Sequence, residues 1–444
     1  MTKNALHSNS VGTALLLLVL STDASFAQDT NSRDKNDETI VLEPITVTAR
    51  RIEESLQNVP FSVSVIGEED IENLRHRDSE RLYRDIPNFN TANGRQPFGL
   101  DFGVIRGVGG FQTDSPDDTS VAYHIDGIPI PQGTIDAPFQ DLERIEVLRG
   151  PQGTLFGRNA QAGAINLVTA DPTDEPIRQA TAEYGEQDDV RLSAVVGGKS
   201  SPDFRMRSSF SFERRDGFVE DRLGLNDDFQ DEYRLTGSTK AIADVSDQTR
   251  ASLTLRGGIE RRGGDTGALR EGSDFPVVEV DVANADAERD SLGAGLIVEH
   301  DLSDVLTLVS STGYSVYQTD TLRDGLEGIS FSAFAGLPTE ALINPDDFID
   351  TDERLHQFSQ EIRADGEFDS RIIFSAGASA FYSEYTIEQI GIIPLFAFEN
   401  IQENELTTES YSLFGEATTP FLSDRLRATF GLRGTMRSRG WKAT

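Results

Sequence analysis

The stretch RASLTLRGGIE, residues 250–260, sets Ala251, Leu253, Leu255, Gly257 and Ile259 on one parity and Ser252, Thr254, Arg256, Gly258 and Glu260 on the other. Successive side chains of an extended strand point to opposite faces, so this segment reads as a strand with an apolar face and a charged one. Residues 427–437 obey the same rule, with Ala428, Phe430, Leu432, Gly434 and Met436 opposing Arg427, Thr429, Gly431, Arg433, Thr435 and Arg437. So do residues 190–196, 206–214, 233–241, 292–300 and 372–382. Counted to the last residue, about eleven strands are predicted, most about ten residues long, which is the pattern of a membrane barrel.

A soluble sandwich alternates too, so the period alone leaves both architectures open. Short turns (such as "SD") take turns with long acidic loops, and the polar face carries Arg and Glu at successive positions, as a wet lumen requires. Export points the same way. Lys3, the apolar run VGTALLLLVL at residues 11–20 and Ser25-Phe26-Ala27 form a secretory signal peptide, predicted to be cut before Gln28. No later run approaches the roughly 18 apolar residues of a spanning helix, so a membrane location requires strands closed into a barrel.

Composition narrows the function. The 444 residues hold 75 acidic and 40 basic side chains, a net charge of −35, which argues against a nucleic-acid partner. With no cysteine, the chain has neither disulfides nor thiolate metal sites. The acidic stretch NPDDFIDTDE, residues 344–353, lacks the alternating ligands and turn Gly of a calcium loop and reads as a solvated loop. Five histidines are present, at positions 7, 76, 124, 300 and 356, none in a metalloprotease or nucleophile-elbow setting. RGVGGF and RRGGDTG are Gly-rich but lack the strand, helix and phosphate-binding Lys of a nucleotide site. No catalytic constellation emerges, and no enzyme is expected.

Between residue 59 and about residue 172 the pattern mixes strands (FSVSVI, VAYHIDGIPI, RIEVLRG, AINLVT) with the amphipathic segments EEDIENLR and DSERLYRDI, the mark of a small α+β domain. Residues 28–43 are polar and aperiodic, a flexible tether. After them come Ile45, Thr46, Val47, Thr48 and Ala49, which favour an extended backbone able to pair with a partner strand.

A signal peptide, the ITVTA run, the segments IRGVGG, VAYHIDGIPI and LERIEVLRGPQGTLFGRNAQAGAINLVT (residues 142–169), and then long alternating strands together resemble a TonB-dependent outer-membrane receptor of the ferric-siderophore type. The resemblance implies a signal peptide at 1–27, a flexible segment with the TonB box at 28–51, a plug at 52–172 and the N-terminal part of a transmembrane antiparallel β-barrel at 173–444. It makes Ile45 to Ala49 the TonB box, with ETIVL at residues 38–42 as rival, and places the N-terminus in the periplasm of a Gram-negative cell. About five strand-pairing hydrogen bonds at about 1 kcal/mol each would give a reversible joint that can be pulled.

The plug would be locked in the barrel by Arg106, Glu143, Arg144, Glu146, Arg149 and Arg158, while Gly150, Gly153, Gly157 and Gly163 would allow tight turns and close approach. Ligand would meet plug-apex residues, for which Phe98, Phe111, Gln112 and Asp114 are the candidates. The implied partners are TonB with its inner-membrane energising complex, outer-membrane lipid and a ferric siderophore. No cofactor is implied, because iron arrives inside the ligand. Cobalamin, saccharide and aromatic ligands remain open.

The family's barrel has about 22 strands, and this chain offers about half. Eleven strands spaced at about 4.8 Å and tilted at about 40° close at a radius of roughly 11 Å, too narrow for a plug of roughly 17 Å radius. Each open edge would cost several kcal/mol per unpaired group in lipid. A reading frame cut short within the barrel is the expectation, and with it two alternatives to transport: a fragment whose plug folds and binds TonB in the periplasm, or a soluble exported binding protein.

Overall fold

In a computed structural model the described residues are 46–48, 51–52, 54–73, 85–92, 102–109, 119–134, 141–217, 219–221, 223–224, 229–264, 277–278, 285–325, 336, 344, 346–368, 371–421 and 426–443. The signal peptide, the tether with its rival box, Ile45, Ala49, Phe98, Phe111, Gln112 and Asp114 lie outside them.

The chain enters the described region with β1 (Thr46–Val47), antiparallel to β2 (Glu54–Ser55). Next come β3 (Ser62–Gly67), α1 (Glu68–Asn73), and the hairpin of β4 (Phe89–Ala92) with β5 (Phe102–Ile105). Strands β6 (Val121–Ile125), β7 (Ile128–Pro129), β8 (Leu142–Arg149) and β9 (Gly163–Thr169) complete a five-stranded sheet in the order β3-β8-β9-β6-β7. Within it only β6 and β9 run parallel.

Both faces of this sheet are covered, which is why β9 reads as a mostly apolar run. One face packs Ile145, Val147, Ile165 and Leu167 against Ile66, Phe89 and Ile105. The other packs Leu148 and Ala164 against Val47, Leu155, Phe156 and the wall residue Phe414. Asp126 and Gly127 both have positive φ, the two-residue turn that an Asp-Gly pair favours between β6 and β7. A Cβ on Gly163 would lie 2.2 Å from the Leu148 carbonyl oxygen, so β8 and β9 can lie this close only with Gly there.

The wall is one antiparallel sheet of β10 (Ile177–Tyr184), β11 (Val190–Ser201), β12 (Phe204–Arg215), β14 (Glu232–Ser246), β15 (Thr249–Gly263), β17 (Asp286–Ser303), β18 (Leu306–Asp324), β19 (Phe348–Glu367), β20 (Ile373–Ile393), β21 (Phe398–Phe421) and β22 (Leu426–Ala443). A separate parallel pair joins β13 (Glu220–Asp221) to β16 (Val277–Val278). The expected strand number is met. Their lengths are not, since they run from 8 residues in β10 to 24 in β21. Alternation fades beyond the bilayer, where both faces meet water, so a hydropathy pattern sees only the embedded part of each strand. The acidic stretch at 344–353, expected as a loop, is likewise strand from Phe348 onward.

Burial along the wall is inverted relative to a soluble sheet. Arg207, Ser209, Thr236, Thr254, Ser311, Ser359 and Ser410 are buried, whereas Met206, Phe210, Leu253, Leu255, Leu292 and Leu432 are exposed. At Leu255 and Thr254 the contrast is 46% against 6%. A water-soluble sandwich would invert those two values, so the alternation resolves toward a membrane wall whose polar side faces the plug.

Candidate functional site: plug, box and wall

The plug meets the wall through charge. Arg207 on β12 holds Asp141 with two bonds of 2.8 and 2.5 Å, both side chains nearly buried. Lys240 on β14 lies 3.7 Å from Asp126 and 2.6 Å from Asp171, and donates to the Thr169 carbonyl at 3.2 Å. Asp126 also accepts from Thr169 Oγ1 at 2.7 Å and from the wall's Thr254 hydroxyl at 3.4 Å. On β19, Glu361 takes Arg51 at 3.1 Å, and Arg363 donates to the Arg51 carbonyl at 3.3 Å. Burial pulls the Arg51 guanidinium below its usual range, with Glu361 opposing the shift.

Neutral contacts add registration. Gln357 donates to the Pro129 carbonyl at 2.8 Å, and Arg433 to the Thr154 carbonyl at 3.3 Å. Ile128, at the tip of the β6–β7 hairpin, rests on glycines of the wall: a Cβ on Gly313 would come within 2.4 Å of it, and one on Gly295 within 2.8 Å. Gly157 has φ of +77° and sits where a Cβ would be 2.9 Å from Arg433. Gly153, by contrast, has no such neighbour closer than 3.9 Å.

The residues read from sequence as the lock distribute differently. Arg158 does reach the wall, its guanidinium 4.0 Å from the Phe381 ring centroid. Arg149 turns to the Pro87 carbonyl of the plug, and Arg106 lies exposed in the turn after β5 with positive φ. Glu143 and Arg144 bond each other. Glu146, fully buried, accepts from Arg144 Nε at 2.8 Å, from the Thr48 N–H at 2.8 Å and from the Thr48 hydroxyl at 3.1 Å, while Asn166 Nδ2 stands 3.4 Å away.

These contacts move the plug-to-wall lock from the charges of β8 to Asp126, Asp141 and Arg51. The physical reason is parity and length. Glu146 shares its face of β8 with Leu148, the face that packs Val47, so its carboxylate points at the box rather than the wall. For Arg144, burial lowers its affinity for the proton, but the Glu146 and Glu143 carboxylates outweigh that and raise it.

Within the run expected as the box, Thr46 is exposed, Val47 is fully buried and Thr48 is fastened to Glu146. Thr46 to Thr48 therefore lie along the plug. Ile52 and Glu54, just after this run, line a cavity with the short turns at 247–248 and 303–306, which puts the box at the short-turn end of the wall.

A small domain bonded against a wall that is polar on its side and apolar on the other is the architecture of a plugged membrane barrel. Residues 55–164 match the family described as the TonB-dependent Receptor Plug Domain, so the chain carries the plug of a TonB-dependent receptor. It is similar to the "Iron-regulated outer membrane virulence protein" of Vibrio cholerae, at 36% identity over 165 residues, covering 36% of this chain and 24% of that one. It is also similar to the "Vitamin B12 transporter BtuB" of Photobacterium profundum, at 25% identity over 199 residues, 44% of this chain and 30% of that one. The matched stretches thus span under a third of those relatives.

In structure the chain aligns with the ferripyoverdine receptor of the outer membrane of Pseudomonas aeruginosa (TM-score 0.71, 14% identity, 90% of this chain and 55% of that one). It aligns too with the ferric yersiniabactin uptake receptor FyuA of Yersinia pestis (TM-score 0.66, 17% identity, 86% and 61%). At such identities the likeness is one of fold. The relatives are named as receptors and transporters. No helix among the described residues is long and apolar enough to cross a membrane, and the outward-apolar wall strands agree with the outer-membrane location in the relatives' names.

Proposed function

We propose that this chain serves the uptake of a ferric siderophore, bound outside and carried inward when TonB, energised from the inner membrane, pulls on the segment around Thr46, Val47 and Thr48. The observation that carries the reading is mechanical. Thr48 is bonded to Glu146 in β8, and β8 is the second strand of the plug sheet, so tension on the box loads the plug core directly. The plug in turn is held to the wall by separable ion pairs rather than by a continuous apolar seam, which lets it shift without baring a large apolar surface.

The iron-linked names of several relatives and structural neighbours support a siderophore over cobalamin as cargo. Iron belongs to that cargo, and no resident metal or cofactor is assigned to the chain.

The test is radio-iron uptake from a panel of ferric siderophores by cells lacking other iron receptors. Val47→Pro removes a ladder donor and should abolish uptake while surface binding of the siderophore persists. Because Val47 is also packed in the plug, retained binding is the control that the plug is intact. Normal uptake by the variant would remove the box assignment.

A further inference from the structure

A cavity of about 550 Å³ lies between the plug turn at residues 151–161 and the inner faces of β18 to β22. Its lining carries four guanidinium groups, Arg51, Arg158, Arg433 and Arg437, against one carboxylate, Glu361. Glu361 is shared between Arg51 at 3.1 Å and Arg363 at 3.2 Å. Arg433 has neutral neighbours: the Thr154 carbonyl at 3.3 Å, the Ser379 hydroxyl at 2.8 Å and the Phe414 ring at 5.1 Å. Four guanidinium groups against one carboxylate line this space, in a chain whose net charge is −35.

A second cavity of about 530 Å³, at the short-turn end, has the opposite character. It is lined by Glu54, Asp247, Asp301, Asp304, Asp365 and Glu367 and by no Lys or Arg. Charges of one sign gathered around one cavity repel each other, and an anion seated among them relieves that repulsion. Guanidinium forks suit oxyanions in particular, since two parallel N–H groups meet two oxygens.

We propose that the arginine-lined cavity is a holding site for an oxygen-rich anion on its way between plug and wall, and that the cargo of this chain carries net negative charge, as an iron chelate with carboxylate or catecholate arms does. This rests on the transport reading above. The site adjoins the box as well. The Arg51 N–H donates to the Thr48 carbonyl at 2.8 Å, and the Arg51 guanidinium lies 5.1 Å from the Phe156 ring in the cluster that buries Val47. An anion that draws Arg51 away from Glu361 therefore acts on the segment that TonB would pull.

The absence of native cysteine supplies the test. Ser410→Cys puts a single thiol in the arginine-lined cavity, and Ser303→Cys puts one in the acidic cavity. Each purified, refolded full chain is treated with methanethiosulfonate reagents bearing either a sulfonate or a trimethylammonium group, and each rate is divided by that of a free thiol. The expectation is a sulfonate preference of about tenfold or more for Ser410→Cys, reversed for Ser303→Cys, as local potentials of a few kT produce. Millimolar citrate should slow the first reaction, and Arg433→Gln added to Ser410→Cys should weaken both the preference and the protection.

If Arg433→Gln does not fold, Arg437→Gln, on the exposed last strand, takes its place. Equal rates for the two reagents, or no protection by citrate, overturn the proposal. Uptake is read separately: a charge-selective, citrate-protected thiol in a chain that imports no iron chelate removes the transport reading, whereas flat rates in an importing chain remove only the anion site.

Discussion

Replacing Glu146 with Gln addresses how firmly the box is stowed. In the native chain the buried carboxylate accepts two bonds from Thr48 and one from Arg144 Nε, all at 2.8 to 3.1 Å. With its oxygen in the place of Oε1, the amide of Gln keeps these three bonds only as bonds to a neutral acceptor, and it turns an NH₂ group toward the Thr48 hydroxyl and the Asn166 amide, which face Oε2 at 3.1 and 3.4 Å. A hydrogen bond to a charged group contributes about 1.5–3 kcal/mol, and a net loss of about 2 kcal/mol corresponds to roughly a 30-fold rise in the ratio of released to stowed box.

A spin label on Thr46→Cys, an exposed position of β1, reports that ratio as the mobile fraction of its spectrum. Thr48→Ala, which spares the N–H bond, should give a smaller rise. If Glu146→Gln leaves the mobile fraction within twofold of the parent while the chain stays folded, the latch argument is wrong, and the burial of Val47, worth about 1.5–3 kcal/mol, is enough to hold the strand.

Two further outcomes are expected. Removing one partner of the buried Asp141–Arg207 pair should loosen the plug by about 3–5 kcal/mol, whereas Asp141→Asn with Arg207→Met should cost much less than the two single changes combined; urea titration of a plug-borne fluorophore measures both, and simple additivity would deny the coupling. His124, buried against Phe156 with neither ring nitrogen hydrogen-bonded among the described residues, has its pKa driven well below normal, by burial first and the Arg51 charge second. The unfolded plug then binds more protons than the folded one, so stability is full above about pH 6.5 and falls by up to about 1.4 kcal/mol per unit as pH drops below it, until the folded pKa is reached. The same titration repeated from pH 7.5 to 5 should lose this slope in His124→Phe, and an identical slope there would assign it to other groups.

Much of the architecture was legible because it is written in short-range pattern. The two-residue period of segments such as 250–260 and 427–437 names strands, whereas VAYHIDGIPI, expected as one strand, folds back at Asp126-Gly127 into β6 and β7. Which face of the wall is wet is not coded by period. It follows from whether Thr254 or Leu255 is buried, and so from what stands on either side of the sheet. Arg158 meets the wall, but the β8 charges Glu143, Arg144 and Glu146 pair within the plug, for a similar reason. Arg and Glu of β8 attract attention as a cluster, but Asp126, Asp141 and Lys240 are isolated in sequence and become a lock only when two domains meet. Ile128 seated on Gly295 and Gly313 left a faint trace, glycines at inward positions of β17 and β18. The apex candidates at 98 and 111–114 lie outside the described residues.

The lengthening of the wall strands from 8 residues in β10 to 24 in β21 has a mechanical meaning. At about 3.3 Å per residue and a tilt of about 40°, these strands rise roughly 20 and 60 Å, against a hydrocarbon band of about 25 Å. The turns at 202–203, 247–248 and 304–305 sit at one end, and the surplus length rises toward the other rim from β10 to β21. On the tall side the rim stands well clear of the lipid as a two-faced β palisade, open to antibodies and proteases.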